Sequence, residues 1–369
     1  MIRLSAGHAS VDIYQGMVAA LVPFFVAERG YGYAAASGIV LAASLLSSVA
    51  QPAFGALTDR WALPWLLPLS TVLAGLGIAV SGLGDSYALT LAAVAVSGLG
   101  VAAYHPEAAR VARIASAGRH TGMGWFSLGG NLGFAAAPLV VAAVIGAGGL
   151  RWSPLLVLPA LAGAALGRHR PTGKSTAVAA AAPIPDDKAA FGRLSLVVVL
   201  RSVVFVGLSA FVALYAPQRT AGGVWAGGAA LFLLYLGGAV GTVLGSRLAE
   251  RFGRVAVLRW SYLTAAVAVA GVVLVPGPAF FAFVALASAG LYVPFSLQIT
   301  LAQDYLPSRV GTASGVTLGL AVSVGGVVSP LIGTVADRTS LQTALAPLIV
   351  LPAAGWLVAR TLREPSRPA

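Results

Sequence analysis

The densest set of chemistry-bearing residues in this sequence opens the chain. In "GHASVDIYQG", residues 7 to 16, an imidazole, a carboxylate and an amide stand at His8, Asp12 and Gln15. At about 100° per residue, these i, i+4, i+7 positions fall within roughly 60° of one another on a helix face. They lie in an apolar run that reaches Ala27, where ionisable groups are costly and need a reason. The stripe could exchange protons, with Asp12 as carrier, His8 as hydrogen-bond donor or second proton acceptor, and Gln15 lining a polar path. Alternatively it could pin its helix to a neighbour by interhelical hydrogen bonds. A second cluster, "YHPEAAR" at residues 104–110, carries His105, Glu107 and Arg110 around Pro106. Pro106 lacks a backbone donor and is expected to kink or end its helix. Glu107 reads either as a second protonation site or as the structural partner of Arg110 at i, i+3. His105 beside Glu107 has no third ligand at suitable spacing, so no metal is expected.

The elements that must position these groups are apolar helices. The chain has 369 residues, 58% hydrophobic and 9% charged, with mean hydropathy +0.89. Soluble domains carry about 25% charged residues. Stretches of about 20 apolar residues, enough to cross a bilayer, recur throughout. They predict an all-α membrane protein of twelve spans: 6–28, 34–57, 62–83, 86–107, 120–146, 151–168, 193–216, 222–247, 255–275, 279–302, 310–336 and 340–361. The first run is too long and too polar on one face for a cleavable signal and reads as the first span.

The net charge of +12 is a topology signal rather than a nucleic-acid footprint. With the N-terminus inside, 18 of the 23 basic residues fall on cytoplasmic segments. Only Arg29, Arg151, Arg219 and Arg338 fall outside, and Arg201 lies within a span. That bias is expected to set both termini in the cytoplasm of a multi-pass plasma (inner) membrane protein. The chain has no cysteine, which excludes disulfides, thiolate metal sites and cysteine nucleophiles. No G-x-S-x-G, H-E-x-x-H or phosphate-loop motif is present, which speaks against an enzyme and against an ATP-driven pump without a partner. The expected partners are a small-molecule substrate, protons and lipid, with no nucleic acid and no cofactor, and a monomer fits.

Residues 169–192 form the one long polar-and-small segment and read as a linker between two six-helix halves, 1–168 and 193–369. The halves look like copies. Asp59–Arg60 and Glu250–Arg251 are 191 residues apart, and Gly133 with Pro138 matches Gly325 with Pro330 at 192. Internal repeats of this kind mark transporters, with the substrate site between repeats near mid-membrane. Under the same offset Arg201 corresponds to Ser10, two positions from Asp12. An Asp12–Arg201 pair, direct or through water, is expected, with Arg201 freed for an anionic substrate when the acid is protonated. The alternative is an arginine that snorkels to the surface.

Twelve spans, a central loop and the G-x3-D-R turn of "GALTDRW" resemble the major facilitator superfamily over essentially the whole chain. "GMGWFSLGGNLGFAAAP" is similar to the span-five motif of its antiporters: Gly124, Gly133 and Pro138 match, whereas Ala137 stands in place of a glycine. "GHASVDIYQG", "SSVAQPAFGALTDRW", "AAYHPEAARVA" and "QDYLPSRVGTASGVTLGLAVSVGG" together resemble the fosmidomycin-resistance branch. The resemblance implies proton-coupled export of a small organic or drug-like compound by alternating access, the alternative being proton-coupled uptake of an organic anion or metabolite. It also implies gating at Asp59 and Arg60, with Glu250, Arg251 and Asp304 serving similarly. Asn131, Tyr14, Trp125, Phe126, Tyr235, Tyr292 and Gln298 are further candidates for a cavity wall. Gly129, Gly130, Gly133, Gly325 and Gly326 are expected to allow close helix packing.

Overall fold

The computed structural model describes residues 1–61, 63, 65–115, 120–166 and 185–365. Most of the expected linker therefore lies outside the described residues, as do the side chains of Asp59 and Arg60. The described chain is helical, in twelve successive elements: α1 (Ile2–Arg29), α2 (Tyr33–Arg60), α3 (Leu66–Ser81), α4 (Tyr87–Ala115), α5 (His120–Gly148), α6 (Leu150–Leu166), α7 (Lys188–Arg219), α8 (Gly223–Phe252), α9 (Arg254–Leu274), α10 (Ala279–Tyr305), α11 (Val310–Arg338) and α12 (Leu341–Ala359). Among the described residues, nine of these are long and apolar enough to cross a membrane. A tenth, α8, qualifies with a 48° bend, and α3 and α6 are shorter.

Local chemistry explains where several elements start and bend. Asp187 accepts from the Ala190 amide and caps α7, so that helix begins five residues before the expected 193. The carboxylate of Glu28 at the end of α1 receives the Leu150 amide at 3.0 Å and so caps α6. The first eight residues of α6 form a 3₁₀ helix. At about 2.0 Å per residue there and 1.5 Å over the remaining α-helical turns, its 17 residues reach about 30 Å, one hydrocarbon thickness. Where the two helix types join, the Tyr14 hydroxyl accepts from the Ala160 amide at 2.7 Å and donates to the Leu156 carbonyl at 2.9 Å. It thus inserts into one i to i−4 helical bond. Tyr14 is fully buried and ties α1 to α6, so its place is structural rather than in a cavity wall. Pro106 does not end α4, which continues to Ala115. Neighbouring helices hold the segment in place although one ladder bond is missing.

The internal repeat is visible in packing. A Cβ on Gly133 of α5 would overlap the Ala9 carbonyl of α1, and one on Gly325 of α11 would overlap the Ser202 carbonyl of α7. A Cβ on Gly100 would lie 2.7 Å from the Ser70 carbonyl oxygen, and one on Gly290 2.8 Å from that of Ser261. Each pair is separated by 190–192 residues. Two pseudo-symmetric six-helix bundles result, with apolar cores formed where small residues let backbones approach.

The bundles meet along α2–α11 and α5–α8. Gly333 packs on the Tyr33 carbonyl, Gly326 on Ser44, Gly238 on Asn131, and the Phe134 and Tyr235 rings lie 4.3 Å apart. Asp337 of α11 accepts the Tyr33 and Ala34 amides of α2 at 2.7 and 3.0 Å. The α2–α11 contacts lie in the half of the helices remote from the termini, and the α5–α8 contacts lie near the middle of theirs. Towards the termini, Leu45 and Val49 of α2, Trp125 of α5, Val243 and Leu244 of α8 and Val316 of α11 are exposed.

Candidate functional site: a carboxylate between two histidines

Asp12 lies between two imidazoles. His8 Nε2 is 3.2 Å from its Oδ2, and His105 Nε2, brought in from α4, is 3.1 Å from its Oδ1. Each histidine is fixed from behind. His8 Nδ1 lies 2.8 Å from the Phe126 carbonyl of α5, and His105 Nδ1 2.8 Å from the Val101 carbonyl one turn earlier. The Phe126 ring stacks on His8 with centroids 4.1 Å apart. Gly130 closes the other side: a Cβ there would stand 2.5 Å from Asp12 Oδ2 and 2.6 Å from His8 Cε1. Only glycine lets α5 approach this closely.

The carbonyl partners fix the proton arithmetic. A carbonyl only accepts, so both Nδ1 atoms carry hydrogen. Each Nε2 then presents a lone pair to the carboxylate unless a further proton lies between them. With two such protons the group carries +1, with one it is neutral, and with none it is −1. Acceptor-to-acceptor contacts in a buried site are repulsive unless a proton lies between the atoms. Neither contact is well aligned: His8 Nε2 and Asp12 Oδ1 are buried without a formed hydrogen bond. His8, Asp12 and His105 also offer three metal-ligand atoms within 4.8 Å of one another. The third ligand that the local spacing lacked is thus supplied from α1, but the two short contacts diverge to opposite carboxylate oxygens.

The other candidates separate into several places. Gln15 is half-buried, and no group among the described residues bonds its amide. Glu107 is fully buried, and its carboxylate receives Arg110 Nε at 2.8 Å and the Nη2 of the same guanidinium. It is an internal ion pair of α4, away from the carboxylate–histidine group. Arg201 does not meet Asp12. Its Nε donates to the Leu291 carbonyl at 2.5 Å, and its guanidinium lies over Phe205, Tyr292 and Phe295. It is buried and does not snorkel. Gln298 donates to the Tyr262 hydroxyl at 2.9 Å. Tyr235 and Asn131 face the inter-bundle seam at Phe134 and Gly238. Trp125 is 59% exposed. Glu250 and Arg251 are exposed on α8. Asp304 pairs with Arg254 at 2.6 Å, and Glu364 pairs with the same arginine at 2.7 Å. That cluster lies within the C-terminal bundle and does not bridge the halves.

Two residues that sequence spacing missed are His105 as the partner of Asp12 and Asp337 as a bridge between bundles. A histidine one position before a mid-span proline was the available signal for the first. Nothing local distinguishes Asp337 from any loop acid.

Residues 4–330 match the Major Facilitator Superfamily. The chain belongs to that superfamily. This transporter is 29% identical over 368 residues to the fosmidomycin resistance protein of Escherichia coli (strain K12), covering 96% of this chain and 90% of that one. It is also 29% identical over 384 residues to YfnC, an uncharacterized MFS-type transporter of Bacillus subtilis (strain 168), covering 97% and 91%. Among solved structures it superposes on a bacterial homologue of the human lysosomal transporter Spinster, inward-facing and occupied, with TM-score 0.82 at 17% identity, covering 100% and 98% of the two chains. The nucleoside transporter NupG matches with TM-score 0.80 at 11% identity over 97% and 98%. These likenesses establish the fold, and the family's members are transporters rather than enzymes.

Proposed function

We propose that this transporter is a proton-coupled antiporter that exports a small organic compound by alternating access, with His8, Asp12 and His105 as the proton site. The observation that carries the reading is the carboxylate held between two histidines whose remaining nitrogens are committed to carbonyls. Such a group takes up or releases protons by closing or opening two short contacts. The elements concerned are α1, α4 and α5, and rocking of the bundles changes how those helices are exposed. The basic residues favour cytoplasmic termini. In this reading the carrier loads substrate from the cytoplasmic face. The relative's name, a resistance protein, favours export. The proton gradient is the energy source in this reading, with no cofactor, and it acts because protonation changes the relative stability of the two states.

The test is proton movement in proteoliposomes carrying an internal pH dye, challenged with fosmidomycin and with lipophilic cations. Compound moving one way should drive protons the other way, and Asp12→Asn should abolish the exchange. His105→Gln should slow it by at least about tenfold, the low end for losing one positioned proton-transfer group. Protons moving together with the compound would replace antiport with symport. Asp12→Asn behaving as wild type would make the stripe an interhelical pin.

A further inference from the structure

Arg201 is a buried cation without a counter-charge. It is 3% exposed, and among the described residues no carboxylate lies within ion-pair distance of it. Only its Nε is engaged, by the Leu291 carbonyl. That carbonyl lies in the last turn before α10 breaks at Val293–Pro294. Phe205 of α7 with Tyr292 and Phe295 of α10 lie around the guanidinium at 5.4, 5.9 and 4.8 Å from their centroids. The rings hold the fork in place by cation–π attraction but cannot neutralise it. Both Nη atoms, with four N–H groups, have no acceptor among the described residues. An isolated charge in a low-dielectric interior is strongly unfavourable unless paired.

Position adds a second, independent argument. Under the 191-residue repeat Arg201 is equivalent to Ser10 and Phe295 to Tyr104. The α7–α10 cage therefore lies in the C-terminal bundle at the depth that the carboxylate–histidine group takes on α1 and α4 in the N-terminal one. A cationic pole and a proton site face the same depth of the molecule from opposite bundles, which is where alternating-access carriers bind substrate.

We infer that Arg201 is the anion subsite of the transported compound, and that the substrate carries a compact oxyanion, a carboxylate or phosphonate, received bidentately by the two Nη atoms. A planar fork locked by its Nε and by three rings is preorganised for two parallel N–H···O bonds. The rings accommodate an apolar portion next to the anion. This inference rests on the transport reading but not on proton coupling.

The experiment uses the purified full-length protein. Binding is followed by calorimetry and thermal shift with phenylphosphonate and benzoate, and with their neutral methyl esters. Both anions should bind and raise the melting temperature, and the esters should do neither. Arg201→Gln should weaken anion binding at least about 30-fold, the low end for removing one partner of a buried charge pair. Arg201→Lys, which keeps the charge and loses the fork, should fall between. Without ligand, Arg201→Met should melt no lower than wild type, because it removes an uncompensated charge. A wild-type protein that shows no proton exchange but retains Arg201-dependent anion binding would overturn the coupling and leave the subsite standing. Equal binding of esters and anions, failure of both anions to bind wild type, or unimpaired binding by Arg201→Gln would overturn the inference. So would a marked drop in the melting temperature of Arg201→Met, which would make the arginine a prop for the Leu291 carbonyl.

Discussion

Asp337 offers the sharpest test of how the bundles are held together. Its carboxylate, at the end of α11, receives the first two amides of α2 at 2.7 and 3.0 Å, so a charge of one bundle caps a helix N-terminus of the other. Those amides have no helical acceptor of their own, and the N-terminal dipole end favours an anion. The site is exposed, which keeps the gain near that of an ordinary N-cap, about 0.5–2 kcal/mol. Asp337→Ala should therefore shift the ratio of closed to open forms at the face remote from the termini by about 2- to 30-fold. Asp337→Asn retains one acceptor and should lose about half that energy. The chain has no cysteine, so cysteines introduced at the exposed Ser86 and Gln342, one on each bundle at that face, can be spin-labelled without background. Pulsed-dipolar distance distributions should gain a longer component in Asp337→Ala. An unchanged distribution in well-folded protein would refute the reasoning, because the cap would then contribute nothing to closure.

Gly130→Ala should leave the protein folded but lower proton exchange, since its methyl enters the space of Asp12 Oδ2 and His8; normal exchange in proteoliposomes would count against the proton site. Gly133→Val should destabilise by about 3 kcal/mol or more, as overpacking against the Ala9 backbone cannot relax through a side-chain move, and denaturation in detergent reads this directly. Arg254→Ala should cost about 1–2 kcal/mol, the low end for charged hydrogen bonds because both carboxylate partners are nearly half exposed, measured as a lower melting temperature. At Asp186, the Ser308 hydroxyl and amide hold the carboxyl below the usual aspartate range. A depressed folded value means the contact is complete above the ordinary range and lost only as pH falls through the lowered one. The protection of the Ser308 amide, its exchange relative to the intrinsic rate, should therefore stay constant down to the ordinary aspartate range and fall only below it.

Composition and hydropathy alone determine that this chain lives in a bilayer, because there is no way to solvate runs of twenty apolar residues in water. The 191-residue echo of Gly, Pro and charge likewise determines the doubled bundle, since a helix–helix contact without room for a Cβ must be encoded as glycine in both copies. Asp12 was legible for the same reason: a carboxylate in hydrocarbon is too costly to be incidental. Its second histidine was not, because His105 lies 93 positions away and the local period of α4 says nothing about which face meets α1. Only the approach of α4 and α5 to α1, set by Gly130 and its neighbours, decides that. The same holds for Arg201, whose expected partner Asp12 proved to be engaged elsewhere: the repeat gives depth within each bundle, but the distance across the seam depends on how the bundles are tilted. Tyr14 reads as an aromatic wall in one dimension and is a bonded link inside α6 in three. Asp337 is an ordinary loop acid until the fold carries it to the start of α2. Local chemistry is written in the order of residues, whereas partnership between distant helices is fixed only when their packing energies settle together.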